Sequence, residues 1–274
     1  MDAVAAVAAV AAVDTVREPV RAGPLPEVQG ASRWLHPADA DPDAEVRLFL
    51  LHHSGGGAPM YREWPGQLPA SVGCQAVQLP GRQERRREAP YTRLDPLAQA
   101  LARVLSDELD ERPYAVFGHS MGALLGYRLT VELERRGLPA PSLLAVSGWA
   151  PRGFTAPPDL VACPLGALRV LGGLPPEVEE DPELLAAAVR AMGADGAVCA
   201  DFSDDGAAVG CPVVAYSGRG DPLLAPEAMR SWAGRTPEFL GCRTFPGDHF
   251  YLRTHARAIT ADLAQLLPRY AAVG

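Results

Sequence analysis

The chain has 274 residues, 48% hydrophobic and 21% charged, with a formal net charge of −8. That length and balance fit one large globular domain, and the negative charge leaves no overall basic field to hold nucleic-acid phosphates. The five cysteines (Cys74, Cys163, Cys199, Cys211 and Cys242) are odd in number and form no Cys-x-x-Cys pair, so neither a disulfide framework nor a zinc site is expected and a reduced cytoplasmic setting is.

Met1 to Val16 is an Ala/Val repeat with Val at every third position from Val4 to Val16. Asp2 stands where a secretory leader needs basic residues, and the run is too short and Ala-rich to cross a bilayer. Pro19, Gly23, Pro24, Pro26 and Gly30 read as a linker. Residues 1–31 are therefore expected to be a flexible tail, and residues 32–274 the folded domain.

Trp34 to His36 suggests a short edge strand closed by Pro37. Val46 to Leu51 is an apolar run suited to a central strand, and Gln75 to Leu79 reads as the next, ended by Pro80-Gly81. Leu94 to Glu108 repeats apolar residues at helical spacing. A strand at Tyr114 to Phe117 then leads through Gly118-His119-Ser120-Met121-Gly122 into a helix reaching about Arg136. Arg135, Arg136 and Gly137 suit that helix's end. Ser142 to Ser147 is a further strand.

Residues 150–205 break this rhythm with two helical stretches, about Leu160 to Leu171 and Pro182 to Met192, joined by Gly172 to Pro176. They read as an inserted helical lid that covers a pocket. Strands resume at Pro212 to Ser217 and Cys242 to Phe245, with a short helix at Glu227 to Gly234 between them and a last helix from about His255 to Leu267. Near-continuous apolar strands alternating with helices indicate an α/β fold: a mostly parallel central sheet covered by helices on both faces. Active residues in such sheets gather at the strands' carboxyl ends.

The Gly-x-Ser-x-Gly stretch sits between strand and helix, the context of a strained nucleophile elbow with Ser120 at its apex and the Met121 amide turned toward a developing oxyanion. A serine hydroxyl needs a base to take its proton and an acid to orient that base. In the α/β-hydrolase arrangement these follow in the order Ser, acid, His. Only His249 and His255 come after Ser120. His249 lies in a Gly-containing loop just after a strand and is the candidate base. His255 falls at a helix start and reads as a surface residue. Asp221, in the turn after the Pro212 to Ser217 strand, is the candidate acid. Asp248 adjoins His249 and orients it poorly, and Asp201, Asp204 and Asp205 read as solvated charges at the lid's exit. The loop His52-His53-Ser54-Gly55-Gly56-Gly57 follows the Val46 to Leu51 strand, where a second oxyanion amide is expected. Ser54 is the choice, with His53 as its neighbouring alternative. No third ligand is spaced to join His52 and His53 at a metal.

With these residues in view, the chain resembles the type II thioesterases of polyketide and nonribosomal peptide assembly lines over nearly all of residues 32–274. The resemblance rests on LFLLHHSGGGAPMYREW at Leu48 to Trp64, VQLPGRQERR at Val77 to Arg86, FGHSMGA at Phe117 to Ala123, LGGLPP and DPELL in the lid, Gly220 to Pro222, and FPGDHFYL at Phe245 to Leu252. It implies a serine thioesterase with Ser120, Asp221 and His249 as the triad and Ser54 and Met121 as oxyanion donors. It also implies hydrolysis of acyl groups from the phosphopantetheine arm of carrier proteins, with no cofactor or metal of the enzyme's own. No carrier attachment motif is visible, so the acyl group is expected on a separate carrier, with the enzyme a monomer off the membrane. Such carriers are usually acidic, which makes Arg82, Arg85, Arg86 and Arg87 candidate contacts for the carrier's charge or the pantetheine phosphate. The alternative is that these arginines form a solvated loop anchored by Glu84 and Glu88. Oxygen-ester hydrolysis or lactonising acyl transfer by the same triad, and a non-catalytic binding role, are the competing functions.

Overall fold

The computed structural model describes residues 33–154, 162–167 and 176–271. The expected tail over residues 1–31 and half of the expected first lid helix lie outside them, and Pro164–Ala167 within the other half is helical. Seven strands form one sheet: β1 (Leu35–His36), β2 (Val46–Leu51), β3 (Val72–Val77), β4 (Tyr114–His119), β5 (Leu143–Ser147), β6 (Val213–Gly218) and β7 (Phe239–Phe245). Their order is β1-β3-β2-β4-β5-β6-β7, with β1 antiparallel to β3 and every other pairing parallel. This is the α/β-hydrolase fold.

The sheet's alternation divides the core in two. Phe49, Leu51, Val116 and Leu144 point to one face, where helices α1 (Leu94–Glu108) and α2 (Met121–Arg135) cover them. Leu48, Leu50, Ala115 and Phe117 point to the other, against Tyr61, Trp64 and helix α4 (Leu252–Ala271). Each central strand is buried on both faces, which is why its sequence is apolar without alternation.

Several boundaries differ from the sequence reading, four of them with a visible cause or consequence. β3 starts at Val72 rather than Gln75, because Val72, Gly73 and Cys74 pair with Val46, Arg47 and Leu48. A β-carbon on Gly73 would lie 2.9 Å from that of Ala44, so the glycine that looks like a breaker permits close approach. β7 starts at Phe239 rather than Cys242, and Gly241, at φ +84°, carries the irregularity in its pairing with β6. The second helix of the expected lid, α3 (Pro182–Ala200), runs eight residues past the expected Met192, taking Gly193 and Gly196 into its interior. Its start matches, with Asp181 capping the amides of Glu183 and Leu184. α4 begins three residues early and absorbs His255 at a kink.

The acidic residues expected at a lid's exit are paired, not simply solvated. Asp201 bonds Arg93 and caps α1 through the Leu94 amide. Asp204 joins Arg235 and Arg152, and Asp205 joins Arg128. These ties fasten the end of α3 and the following segment to the domain.

Candidate active site

Ser120 sits between β4 and α2 at φ 56°, ψ −119°, a conformation a non-glycine residue adopts only when its surroundings hold it. Its amide bonds the Ser147 carbonyl of the neighbouring strand at 2.7 Å. The flanking glycines make room: a β-carbon on Gly122 would lie 2.1 Å from the Leu51 carbonyl oxygen. Met121 is the first helical residue of α2, so its N–H has no partner within the helix and lies at the helix's positive end, next to Ser120.

The loops after β6 and β7 carry Asp221 and His249, and they are tied together. Arg219 donates to the Phe245 carbonyl at 2.8 Å and Gly220 to that of Gly247 at 2.9 Å. A β-carbon on Gly218 would meet the Asp248 carbonyl at 2.3 Å, and one on Gly148 would press on the rings of His119 and His249. His249 Nδ1 donates to Asp221 Oδ2 at 2.7 Å, and Ser120 Oγ lies 2.9 Å from His249 Nε2. An ionised carboxylate only accepts, so the proton sits on Nδ1 and Nε2 is left to accept from the serine. Asp221 Oδ1 receives the Leu223 amide at 2.9 Å, which fixes the carboxylate's other end. Asp248 takes no part in this chain; it accepts from the Phe250 amide. His255 bonds the Pro246 carbonyl.

Four imidazoles crowd this end of the sheet, and only His249 is hydrogen-bonded to a carboxylate. Burial lowers His52 to about 3 and His53 to about 4, and pushes His119 well below the ordinary histidine value. These three rings stay neutral. His52 Nδ1 bonds the His53 carbonyl and His53 Nδ1 the Ser54 carbonyl, each at 2.8 Å. His119 Nδ1 bonds Ser147 Oγ at 2.8 Å, which bonds the Tyr251 hydroxyl at 2.5 Å. The arrangement sets one imidazole, His249, between a carboxylate and a serine oxygen.

The Ser54 N–H, like that of Met121, has no hydrogen-bond partner among the described residues. Ser54 itself is buried, on the loop leaving β2 beside the elbow.

The arginines of the Val77 to Arg86 stretch divide. Arg82 is 6% exposed and forms a bidentate pair with Asp195, both contacts at 2.7 Å. Arg85 is 4% exposed, bonds the Gln78 carbonyl and Glu88, and stacks over Trp34. Neither is on the surface, so the expectation that they meet a carrier is corrected. The desolvated guanidiniums are already paired inside the fold. Nor is the loop simply solvated. Arg86 does reach the surface, within 3.7 Å of Glu183.

Sequence reasoning missed Asp195. One signal was there: a lone carboxylate in the apolar run Ala191 to Val198, where burial demands a cationic partner.

Residues 46–267 match the thioesterase domain family. The chain belongs to the thioesterase family. As a thioesterase it is a hydrolase acting on thioester bonds. It is 30% identical to the gramicidin S biosynthesis protein GrsT of Aneurinibacillus migulanus, over 82% of this chain and 90% of that one. It is 31% identical to thioesterase PikA5 of Streptomyces venezuelae, over 86% and 84%. Among solved structures, the type II thioesterase BorB from the borrelidin biosynthetic cluster superposes with a TM-score of 0.74 at 33% identity, covering 87% of this thioesterase and 99% of BorB. The expected resemblance to type II thioesterases of polyketide and nonribosomal peptide pathways therefore holds. No helix among the described residues is long and apolar enough to cross a membrane.

Proposed function

We propose that this thioesterase releases acyl groups from the phosphopantetheine arm of acyl or peptidyl carrier proteins, editing or unloading an assembly line, through an acyl-enzyme on Ser120. The observation that carries the reading is His249 bridging Ser120 and Asp221 at 2.9 and 2.7 Å. The serine proton passes to His249 Nε2 as Oγ bonds the thioester carbonyl carbon. The Met121 and Ser54 amides hold the oxyanion. Collapse breaks the C–S bond, and His249 returns the proton to the departing thiolate. Water then gives a proton to His249 and attacks the acyl-serine. Breaking the C–Oγ bond, with return of that proton to Ser120, yields a free carboxylic acid. Asp221 stabilises the imidazolium in both halves.

Arg86, with the exposed Arg87 beside it and Glu183 at the start of α3, is the remaining candidate contact for an acidic carrier. The test is intact mass spectrometry of an acylated carrier. The parent enzyme returns it to the free thiol with release of the acid, and Ser120→Ala leaves it loaded. Equal unloading by both would overturn the proposal. A product carried on an alcohol or amine instead of water identifies transfer rather than hydrolysis, and faster turnover of simple oxygen esters identifies an esterase.

A further inference from the structure

Helix α3 reaches the loop that carries Ser54 through Asp195 and Cys199, which are four residues apart and so share one helix face. Asp195 is 2% exposed. Its Oδ2 accepts the Gly55 amide at 2.7 Å and one Arg82 nitrogen at 2.7 Å, and its Oδ1 accepts the other at 2.7 Å. Arg82 also donates to the Gly56 carbonyl at 3.2 Å. Cys199 Sγ lies 3.6 Å from the Ser54 hydroxyl. The peptide unit between Ser54 and Gly55 is thus clamped at both ends: His53 Nδ1 holds its carbonyl at 2.8 Å and Asp195 its N–H at 2.7 Å. Gly55 follows at φ +75°, a turn open to glycine and strained for other residues. The Ser54 N–H lies in the preceding peptide unit, whose His53 carbonyl accepts the Gly56 amide at 3.0 Å and His52 Nδ1 at 2.8 Å, so the units on both sides of the Ser54 Cα are held. None of the clamp's bonds uses the Ser54 N–H.

We infer that Asp195, held by Arg82, is a positioning residue for the oxyanion hole, and that the carboxyl-terminal half of α3 and the hole form one mechanical unit. This rests on the reading that the Ser54 amide stabilises the oxyanion. The charge matters as well as the shape. A buried guanidinium that loses its carboxylate is left short of partners, and the other acceptor it bonds, the Gly56 carbonyl, belongs to the same loop.

The test compares Asp195→Asn with the parent enzyme, with active sites counted by a fluorophosphonate that labels Ser120. Per labelled site, kcat is expected to fall by roughly 10- to 100-fold, less than the 10²–10³ lost with a whole oxyanion donor, with little change in KM. The inhibition constant of a boronic acid that forms a tetrahedral adduct on Ser120 should rise by the factor by which kcat/KM falls. A merely structural role lowers the number of labelled sites and leaves kcat per site and that constant at parent values. If Asp195→Asn is not recovered folded, Arg82→Lys carries the same expectation, since a single ammonium cannot replace the bidentate pair. Parent-like kcat per site and boronate inhibition, alongside an inactive Ser120→Ala, would overturn the positioning role and leave the proposed function standing. An active Ser120→Ala would overturn both.

Discussion

A β-carbon on Gly118 would lie 2.0 Å from the carbonyl oxygen of Gly122. Strand β4 and helix α2 therefore meet with no room for a side chain, and that contact forces Ser120 to φ 56°. Gly118→Ala is expected to cost about 3 kcal/mol or more, as overpacking against backbone cannot be relieved by a rotamer change. The melting temperature should fall by roughly 6–12 °C for a chain of this size. Gly66→Ala is the control, since nothing lies within 4 Å of its added carbon. Equal melting temperatures for the two variants would mean that the elbow relaxes freely.

Asp221 holds His249 in the tautomer that leaves Nε2 open toward Ser120. Asp221→Asn keeps the shape, but its amide nitrogen can donate to Nδ1 and so favour the wrong tautomer. A loss in kcat of up to about 10⁴-fold is expected, with KM little changed. Steady-state kinetics on an acyl thioester would check it. A loss of under about tenfold would assign the orienting role elsewhere.

How far the sequence could reveal this site depends on how local each cause is. Ser120, Asp221 and His249 were legible because each sits in a turn directly after an apolar strand, and that context is contained within a few residues. Helix α1 was legible to its end residues because its buried stripe of Leu94, Leu97, Leu101, Val104 and Leu105 is local too. The start of β3 was hidden because Gly73 is explained by Ala44, a neighbour on another segment. The inward turn of Arg82 was hidden for the same reason. Its partner Asp195 stands 113 residues away, and an arginine-rich stretch reads as surface until that partner is placed.

The neutral histidines make stability fall on acidification. His52 is lowered to about 3 and His53 to about 4 by burial, and His119 is also lowered, whereas unfolded histidines titrate near 6.5. Between about pH 6.5 and 4 the unfolded chain binds protons that the folded one does not, so stability rises with pH in that window and is fully present above it. Each ring adds a slope of up to about 1.4 kcal/mol per pH unit. Urea unfolding of the parent should weaken steadily from pH 6.5 to 5, and His53→Gln should flatten the slope by up to one ring's share. An unchanged slope would mean that His53 titrates alike in both states.

Ser147 joins two groups that bond no other side chain among the described residues. Its hydroxyl bonds His119 Nδ1 at 2.8 Å and the Tyr251 hydroxyl at 2.5 Å, and all three residues are buried. His119 Nε2 has no hydrogen-bond partner among the described residues, and Ser147 is the side chain that anchors the ring through Nδ1. Ser147→Ala leaves a ring nitrogen and a phenol unsatisfied, a cost of about 1–3 kcal/mol apiece, which urea unfolding would register. The His119 ring also packs 5.1 Å from that of His249, so a loosened His119 transmits some freedom to the proposed base. Because the Ser120–His249–Asp221 bonds are untouched, activity should fall by less than the 10²–10⁴-fold that general acid–base catalysis contributes. Measured at pH 7 on the fraction that remains folded, a drop as deep as that of Asp221→Asn would show that His119, and not Asp221 alone, sets the position of the base.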